Sequence, residues 1–330
     1  MKSEINSYEI IETFKRQKIA VIGDTMIDEY IIGNVDRVSP EAPVPVLEVK
    51  NEYETLGGAA NVANNICSLG GSVKLFSVAG NDKNYHRLEE CLKRAGISSD
   101  YIVRDIERPT IVKTRLIAHH QQIARVDREN RKKISSDVED NLISLIQSEG
   151  HECGAFVISD YLKGVVTNRL VAEIIKFCKK NNKIVLTDPK EKNFALYNGS
   201  TMITPNHREA GIPYHRDINT EEDLIQIGKQ ILTDYRFESL LITRGEQGMT
   251  LFFNKDEYEH IPTAAKEVYD VSGAGDTVIG VLALALSSGL SLLQSSKIAN
   301  FAAGIVVSKL GTATIKPEEL SRELEFYFDR

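Results

Sequence analysis

Five short and almost wholly apolar runs recur along the chain, and each is followed at once by polar or charged residues. They are Lys18–Gly23, Ala155–Ser159, 183–187, 201–204 and Ser239–Thr243. Apolar runs without polar alternation are typical of strands that are buried on both faces of a parallel sheet. Stretches with helical patterning, such as 168–181 and 220–235, lie between them. The pattern predicts an α/β fold.

The polar residues after these runs are expected to share one edge of the sheet, because parallel strands end on the same side. In open α/β sheets, ligands bind outside this carboxyl edge. Asp24 and Asp28 follow the first run, and Asp160, Tyr161 and Lys163 follow the second. A carboxylate at Asp24 or Asp28 can accept hydrogen bonds from the hydroxyls of a sugar, although either residue can instead form a turn.

Two regions, 29–55 and 110–127, do not fit the alternation of strand and helix. The first has Pro40, Pro43 and Pro45 between two β-prone pieces, and the second alternates apolar with polar residues. Both patterns predict antiparallel strands of a small accessory sheet. Such a sheet could close over the ligand edge as a lid, or it could simply extend the main sheet. We expect one main domain over residues 1–330, with this sheet beside it.

Charge and hydropathy exclude several classes of function. A net charge of −7 argues against non-specific binding to nucleic acid, which requires a basic surface. No apolar run approaches the roughly 20 residues of a membrane-spanning helix, and the charged start of the chain lacks the apolar core of a signal peptide. The four cysteines are scattered and form no C-x-x-C pair, which favours reduced thiols and a cytoplasmic location.

The stretch 270–277, with the sequence DVSGAGDT, carries the strongest chemical signal. Its glycines precede an apolar run that predicts a buried helix, and the amides at such a helix start can converge on an anion. A bound phosphate would repel the carboxylate of Asp276, so that residue needs a reason to be there. One reason is a base that accepts a proton from an attacking alcohol. The other is a helix cap beside a glycine turn.

Two other phosphate-binding motifs are absent from the sequence. A Walker A loop requires Ser or Thr after a Gly-Lys pair, and the only such pair, Gly228-Lys229, is followed by Gln230. The dinucleotide fingerprint G-x-G-x-x-G fails because Val278 stands where its third glycine belongs. The chain therefore matches neither a P-loop enzyme nor a dinucleotide-dependent dehydrogenase.

The turn Asn206-His207-Arg208-Glu209 follows the apolar run 201–204. Asn206 and Glu209 are three residues apart and face the same side of a helical turn. Their oxygen atoms are ligands that suit Mg²⁺, so they are candidates for a nucleotide–metal site. The same spacing fits a helix start capped by Asn206, and the two roles are compatible.

A glycine pair, Gly57-Gly58, opens a small-residue helix that carries Asn61. Paired glycines permit close approach of a ligand, and Asn61 can both donate to and accept from sugar hydroxyls. A plain helix-entry turn is the alternative. The basic residues of the accessory sheet could recognise a phosphate on a substrate or could be surface charge only; they are Arg37, Lys113, Arg115 and Arg125.

Together these motifs resemble those of the ribokinase-like (PfkB) family of carbohydrate kinases. The matching motifs are G-D-x-x-x-D after the first run, GGAANVA, N-x-x-E and D-x-x-G-A-G-D, in the order of the family and over nearly the whole chain. Longer stretches, including RVSPEAPVPVLEV, SDYLKG and EVYDVSGAGDTVIGVLA, resemble the heptose 7-phosphate kinases of this family. In many bacteria that kinase is fused to a C-terminal nucleotidyltransferase, and we expect no such domain here.

The resemblance implies a three-layer α/β/α fold with a central, mostly parallel sheet and a small β-sheet lid that pairs two subunits into a homodimer. It implies transfer of the γ-phosphate of ATP, with Mg²⁺, to O1 of D-glycero-β-D-manno-heptose 7-phosphate. The product would be heptose 1,7-bisphosphate, in ADP-heptose biosynthesis for lipopolysaccharide. A monovalent cation such as K⁺ is implied at Asp270 and the loop 309–312.

The resemblance also implies roles for individual residues. Asp276 would be the catalytic base, and the anion hole for the transferred phosphate would be Gly273, Ala274 and Gly275. The ATP site would be formed by Asn206, His207, Arg208, Glu209, Thr243, Gly245 and Asn300, with Glu209 bound to Mg²⁺ directly or through water. The acceptor sugar would be held by Asp28, Gly58, Asn61, Lys163 and Lys190.

Three other interpretations remain open. A kinase for fructose 1-phosphate or tagatose 6-phosphate would share every catalytic motif and differ in its sugar contacts. A ribose or nucleoside kinase would have no need of phosphate-binding lysines. A sugar-binding regulator on the same fold would be expected to lack the base, whereas Asp276 is present.

Overall fold

The computed structural model describes residues 6–119, 121–265, 267–309 and 311–328, without the side chains of 191–193 and 326–328. Its α-helices are α1 (Ser7–Phe14), α2 (Ala59–Ser68), α3 (Lys83–Arg94), α4 (Ser136–Glu149), α5 (Asn168–Lys180), α6 (His207–Gly211), α7 (Glu221–Asp234), α8 (Ala274–Ser287), α9 (Leu292–Val307) and α10 (Pro317–Phe328). Its strands are β1 (Lys18–Gly23), β2 (Thr25–Val38), β3 (Pro45–Gly58), β4 (Ser72–Gly80), β5 (Ile102–Asp105), β6 (Ile111–Ala118), β7 (Gln121–Arg128), β8 (Ala155–Ser159), β9 (Ile184–Asp188), β10 (Met202–Ile203), β11 (Ser239–Thr243), β12 (Met249–Phe252) and β13 (Tyr258–Ile261). None of the helices in this part of the chain is long and apolar enough to cross a membrane.

The main sheet has the strand order β13-β12-β11-β10-β9-β8-β1-β4-β5 among the described residues. Its strands are parallel except β12 and β13, which add an antiparallel edge. All five apolar runs lie in this sheet, as β1, β8, β9, β10 and β11. Their carboxyl ends therefore meet at one edge, as the sequence predicts.

Helices cover both faces of the main sheet, which explains why its central strands are apolar throughout. In β1, Ile19 and Val21 pack into one core with α2, α8 and α9. Ala20 and Ile22, which point the other way, pack into a second core with α4, α5 and α7. The result is three layers, α/β/α.

The second sheet has the strand order β3-β2-β6-β7. Strands β2 and β6 are parallel, whereas β3 and β7 pair antiparallel to their neighbours. The side chains of β7 are almost all exposed, so this sheet is covered less than the main sheet. It stands at the carboxyl edge of the main sheet, since β2 follows β1 after the single residue Asp24.

Helices α2 and α8 pack closely against each other because small residues face the contact. A Cβ added at Gly280 of α8 would lie 3.4 Å from the carbonyl oxygen of Val62 in α2. The Thr277 hydroxyl of α8 donates to Asn65 Oδ1 of α2 at 2.9 Å. The first turns of the two helices are therefore fixed side by side.

Candidate active site

Asp276 lies in the first turn of α8 and is buried. Gly273 precedes the helix with a φ of 81°, in the left-handed region that favours glycine. The carboxylate of Asp276 accepts two side-chain hydrogen bonds. Asn61 Nδ2 donates to its Oδ2 at 2.7 Å, and the Tyr161 hydroxyl donates to its Oδ1 at 2.7 Å.

The loop that carries Tyr161 is held in place by Asp24. This buried carboxylate accepts hydrogen bonds from the backbone amides of Tyr161, Lys163 and Val165, each at 3.0 Å. Of the two roles that the sequence leaves open for Asp24, the structure therefore supports turn formation. Its contribution to the site is to hold the loop after β8 beneath Asp276.

The surroundings of Asp276 raise its pKa toward neutrality. Burial raises the pKa of Asp276 to about 6, while the hydrogen bonds from Asn61 and Tyr161 and the charge of Lys190 oppose that rise. A carboxyl with this pKa is largely ionised at pH 7 and can still take up a proton during a reaction. Asp276 therefore has the burial, the orientation and the pKa of a general base.

Asn61 is oriented by its own helix. Its Oδ1 and its backbone oxygen accept from Asn65 Nδ2 at 3.4 and 2.9 Å. This leaves its amide NH₂ directed at Asp276. The family resemblance implies a sugar contact for Asn61, and the contact that the structure shows is the one with Asp276.

A cavity of about 190 Å³ opens in front of Asp276 and is lined by Tyr161, Asp188, Lys190, Thr204, Asn206, Glu209, Thr243, Gly273, Gly275 and Asp276. Lys190 donates to Glu209 Oε1 at 2.8 Å. Burial opposes the charge on Lys190, yet Asp188 and Glu209 hold its pKa above the ordinary value. Lys190 is therefore a charged group at the wall of the cavity that Asp276 also lines.

The turn 206–209 forms the capping box that its spacing predicts. Asn206 Oδ1 accepts from the amides of Arg208 and Glu209 at 3.0 Å, and Glu209 Oε2 accepts from the Asn206 amide at 2.9 Å. His207 borders an adjoining cavity together with Gly245, whereas Arg208 is exposed. Glu209 thus reaches the 190 Å³ cavity through one oxygen and holds its helix start with the other.

A second cavity, of about 410 Å³, adjoins the first. Its walls are mostly aliphatic side chains and glycines, and they include three of the seven residues that the family resemblance assigns to the ATP site, namely Thr243, Gly245 and Asn300. The Asn300 side chain is engaged with the protein, donating to the Pro262 carbonyl at 2.7 Å. Thr243 and Gly275 line both cavities, so an elongated ligand can run from one into the other.

The helix start at 273–275 offers backbone amides to this junction. The first amides of an α-helix have no partner within the helix, and the helix dipole favours an anion there. The Ala274 amide donates to the Val271 carbonyl at 3.2 Å and so supports the turn. Gly275 lines both cavities, which places the first turn of α8 where an anion would bind.

The donors for a cation are limited in the described part of the chain. It contains no group of three or more His, Cys, Asp or Glu residues arranged to hold a metal ion. Of the carboxylates that line the 190 Å³ cavity, Glu209 is the one that the family resemblance assigns to a cation entering with a nucleotide, and Asp188 and Asp276 lie in the same cavity. Asp270 accepts from the amides of Ser272 and Gly311 at 2.9 and 3.0 Å, which ties it to the loop 309–312; Leu310 of that loop lies outside the described residues.

The remaining residues assigned to the sugar lie on the side of the second sheet. Asp28, which is buried, accepts from Arg115 Nη1 at 2.5 Å. Lys163 forms an ion pair with Glu129 at 2.7 Å. Gly58, with a φ of 59°, begins α2 close to the backbone of Asp24. Asp276 therefore stands between the two cavities and the second sheet.

Two residues at the site have no specific role in the sequence analysis. Tyr161 is recognisable only as one of several polar residues after a strand, and nothing local indicates that its hydroxyl reaches Asp276. Asp188, at the end of β9, is buried, and burial raises its pKa to about 8 against the effect of Lys190. A polar residue at the end of a buried strand is the signal that both share.

Comparison with known proteins places this geometry in context. A family profile described as "pfkB family carbohydrate kinase" matches residues 16–319. A protein named bifunctional protein HldE from Geobacter sulfurreducens is 44% identical over 306 residues, which are 93% of this chain and 62% of that protein. The protein of the same name from Helicobacter hepaticus is 42% identical over 306 residues, 93% of this chain and 63% of its own length. The chain spans about three fifths of the length of these relatives.

Solved structures share the architecture at much lower sequence identity. The ribokinase of Arabidopsis thaliana, complexed with ribose and ATP, superposes with a TM-score of 0.74 at 18% identity and covers 94% of this chain and 99% of its own. Phosphofructokinase-2 from Escherichia coli, in complex with potassium, gives a TM-score of 0.77 at 17% identity, with 95% and 99% coverage. At these identities the two structures establish the fold alone.

Proposed function

Because this chain belongs to the pfkB family of carbohydrate kinases, we propose that it transfers the γ-phosphate of ATP to O1 of a heptose 7-phosphate. The acceptor would be D-glycero-β-D-manno-heptose 7-phosphate, and the product heptose 1,7-bisphosphate. The long stretches that resemble heptose 7-phosphate kinases support this acceptor. The reaction would belong to ADP-heptose biosynthesis for lipopolysaccharide, in the cytoplasm.

The observation that carries the proposal is the placement of Asp276. It is buried between two hydrogen-bond donors, at a helix start where two cavities meet. In the proposed reaction Asp276 takes the proton of the anomeric hydroxyl while O1 attacks the γ-phosphorus. The bond between O1 and phosphorus forms, the bond between phosphorus and the β,γ-bridging oxygen breaks, and ADP leaves.

The amides at 273–275 would offset charge on the transferring phosphoryl group, chiefly those of Gly273 and Gly275, because the Ala274 amide already donates to the Val271 carbonyl. Hydrogen-bond donors placed in advance of the reaction are typically worth about 3 kcal/mol each in the transition state. The positive end of the α8 dipole acts in the same direction. A helix start is suited to this task because its amides are fixed and need no reorganisation.

The nucleotide would occupy the two joined cavities. Its base would lie in the apolar cavity near Asn300, and its phosphates would pass Thr243 and Gly275 toward Asp276. Mg²⁺ bound to the phosphates would neutralise part of their charge, and Glu209 would hold it directly or through water. A monovalent cation such as K⁺ would lie at Asp270 and the loop 309–312.

We also propose that the second sheet acts as a lid and pairs two copies of the chain. Its exposed valines, Val38, Val49 and Val126, support a contact on this sheet. Light scattering after size exclusion tests this assembly. A Val49→Arg variant should shift the protein toward the monomer, and a wild-type monomer at micromolar concentration would contradict the proposal.

The acceptor is tested by measuring ADP release from ATP with a panel of sugars. The panel contains mannoheptose 7-phosphate, sedoheptulose 7-phosphate, fructose 1-phosphate, tagatose 6-phosphate and ribose, with Asp276→Asn protein as the blank. We expect the highest kcat/KM with mannoheptose 7-phosphate. A clear preference for a fructose or tagatose phosphate would contradict the heptose assignment.

A further inference from the structure

One face of the second sheet carries a compact group of charged side chains, because its strands are in register. Asp28 of β2 pairs with Lys113 of β6, and Lys113 pairs with Asp127 of β7. Residues opposite one another on paired strands share a face, as do residues two apart on one strand. The next row on this face therefore contains Arg115 and Arg125.

Among the described residues, the ion pairs on this face leave Lys113 without a carboxylate partner. Arg115 pairs with Asp28 at 2.5 Å, and Arg125 pairs with Asp127 at 2.9 Å. Both carboxylates in the row of Lys113 are thus held by arginines of the next row. Within the described residues, no carboxylate oxygen lies within 4.0 Å of Lys113 Nζ.

Other charges near Lys113 do not compensate for it. Lys163 is buried and shares Glu129 with Arg131, at 2.7 and 2.6 Å. Burial first, and then Lys163, lower the pKa of Lys113; Asp28, Glu129 and Asp127 oppose this shift, but each is already paired. A partly buried cation beside a second cation is unfavourable unless an anion joins them.

Tyr161 connects this cation to the base. Lys113 Nζ lies 5.7 Å from the centre of the Tyr161 ring, and the hydroxyl of the same ring donates to Asp276. Lys190 lies 5.4 Å from the ring centre but pairs with Glu209, on the nucleotide side. Lys113 and Asp276 thus both contact Tyr161, the lysine at the ring and the carboxylate at the hydroxyl. A phosphorylated sugar is long enough to reach both residues.

We propose that Lys113 binds the phosphate group of the acceptor sugar, with Lys163 as a second positive charge beside it. The ligand is a dianionic phosphate ester whose reacting hydroxyl points at Asp276. This inference rests on the proposed function, since it requires a phosphorylated acceptor. It goes beyond that function by assigning the acceptor phosphate to the second sheet rather than to Lys190 and the nucleotide turn.

The test compares Lys113→Met with wild-type protein in steady-state kinetics. Because a charge-assisted hydrogen bond is lost, we expect KM for the phosphorylated acceptor to rise by about tenfold to a hundredfold. KM for ATP and the slow reaction with the unphosphorylated form of the same sugar should change by less than about twofold. Inorganic phosphate should compete with the phosphorylated acceptor in the wild type and much less in the variant.

A matched control is Lys50→Met, since Lys50 is an exposed lysine of the same sheet that pairs with Glu48 at 2.5 Å. It should leave both KM values unchanged. Should the melting temperature show that Lys113→Met is poorly folded, Lys113→Gln is a second variant, because it removes the charge and keeps a polar end; it is expected to show the same rise in acceptor KM.

Two results separate failure of this inference from failure of the proposed function. If the wild type prefers phosphorylated acceptors and the Lys113 variants behave like Lys50→Met, only the assignment of Lys113 is wrong. If the wild type uses free and phosphorylated sugars equally well, the phosphosugar function and the Lys113 assignment are both wrong.

Discussion

Replacing Tyr161 with phenylalanine removes one of the two side-chain hydrogen bonds to Asp276 and leaves the ring in place. The lost bond is the 2.7 Å contact from the hydroxyl to Oδ1. It favours the ionised carboxylate, so its loss should raise the pKa of Asp276 above about 6. The acid limb of the pH–rate profile should then move to higher pH.

The size of this shift follows from the energy of a hydrogen bond to a charged group. Such a bond is worth about 1.5–3 kcal/mol, and one pKa unit corresponds to about 1.4 kcal/mol. The acid limb should therefore rise by about one to two pH units. Activity should fall by about fivefold to fiftyfold at pH 6 and change little at pH 9. The other titratable groups that face Asp276, namely Lys190, Asp28 and Asp188, stay in place in the variant.

The assay is kcat/KM for the acceptor between pH 5 and 10 (about ten points), with ADP quantified after quenching so that no coupling enzyme limits the range. Tyr101→Phe is the control, since its ring also lies near a lysine, with Lys74 Nζ 5.3 Å from the ring centre. A Tyr161→Phe profile with a uniform loss and an unmoved acid limb would refute the idea that Tyr161 acts through the ionisation of Asp276.

Two further substitutions test the helix start and the nucleotide cavity. In Gly273→Ala, a Cβ would lie 2.8 Å from Asn61 Nδ2 on a left-handed backbone, so we expect a lower melting temperature and a lower kcat as Asn61 is pushed off Asp276. Gly289→Ala is the control, since Gly289 has a φ of 84° and no atom lies within 4 Å of the added Cβ. It should cost the same backbone strain of about 1–2 kcal/mol, and so lower the melting temperature, without changing kcat. Equal kcat values for the two variants would count against the Asn61 contact. In Ala303→Phe, the ring would fill part of the 410 Å³ cavity. KM for ATP should rise more than about tenfold while KM for the acceptor stays within about twofold. An unchanged KM for ATP would show that the adenine ring does not bind in this cavity.

The sequence predicts the main sheet well because its signal is local. In a run such as Lys18–Gly23, the residues after Lys18 are apolar on both faces of the strand. Only a strand that is covered from both sides buries all of them. The predicted α/β fold and the membership of the pfkB family of carbohydrate kinases are confirmed. The capping box at Asn206 and Glu209 is likewise local and forms as its spacing indicates.

Contacts between distant segments could not be read from the sequence. The hydrogen bond from Asn61 to Asp276 joins residues 215 positions apart. From the sequence alone, Asn61 on the helix 59–68 is as compatible with a ligand contact as with this contact to Asp276. Tyr161 and Asp276 are 115 positions apart. Likewise, Lys113 is one of several basic residues in the sequence. Only the register of β2, β6 and β7 places it between two aspartates, Asp28 and Asp127, and only the structure shows that arginines already pair with both.

The role of Asp276 as the base is tested most directly by Asp276→Asn, which keeps the size of the side chain and removes its ability to accept a proton. The measurement is kcat for the acceptor together with the affinity for ATP from titration calorimetry. We predict a loss in kcat of at least about a hundredfold, as general-base contributions indicate, with ATP affinity near that of the wild type. Turnover close to wild type would contradict the assignment.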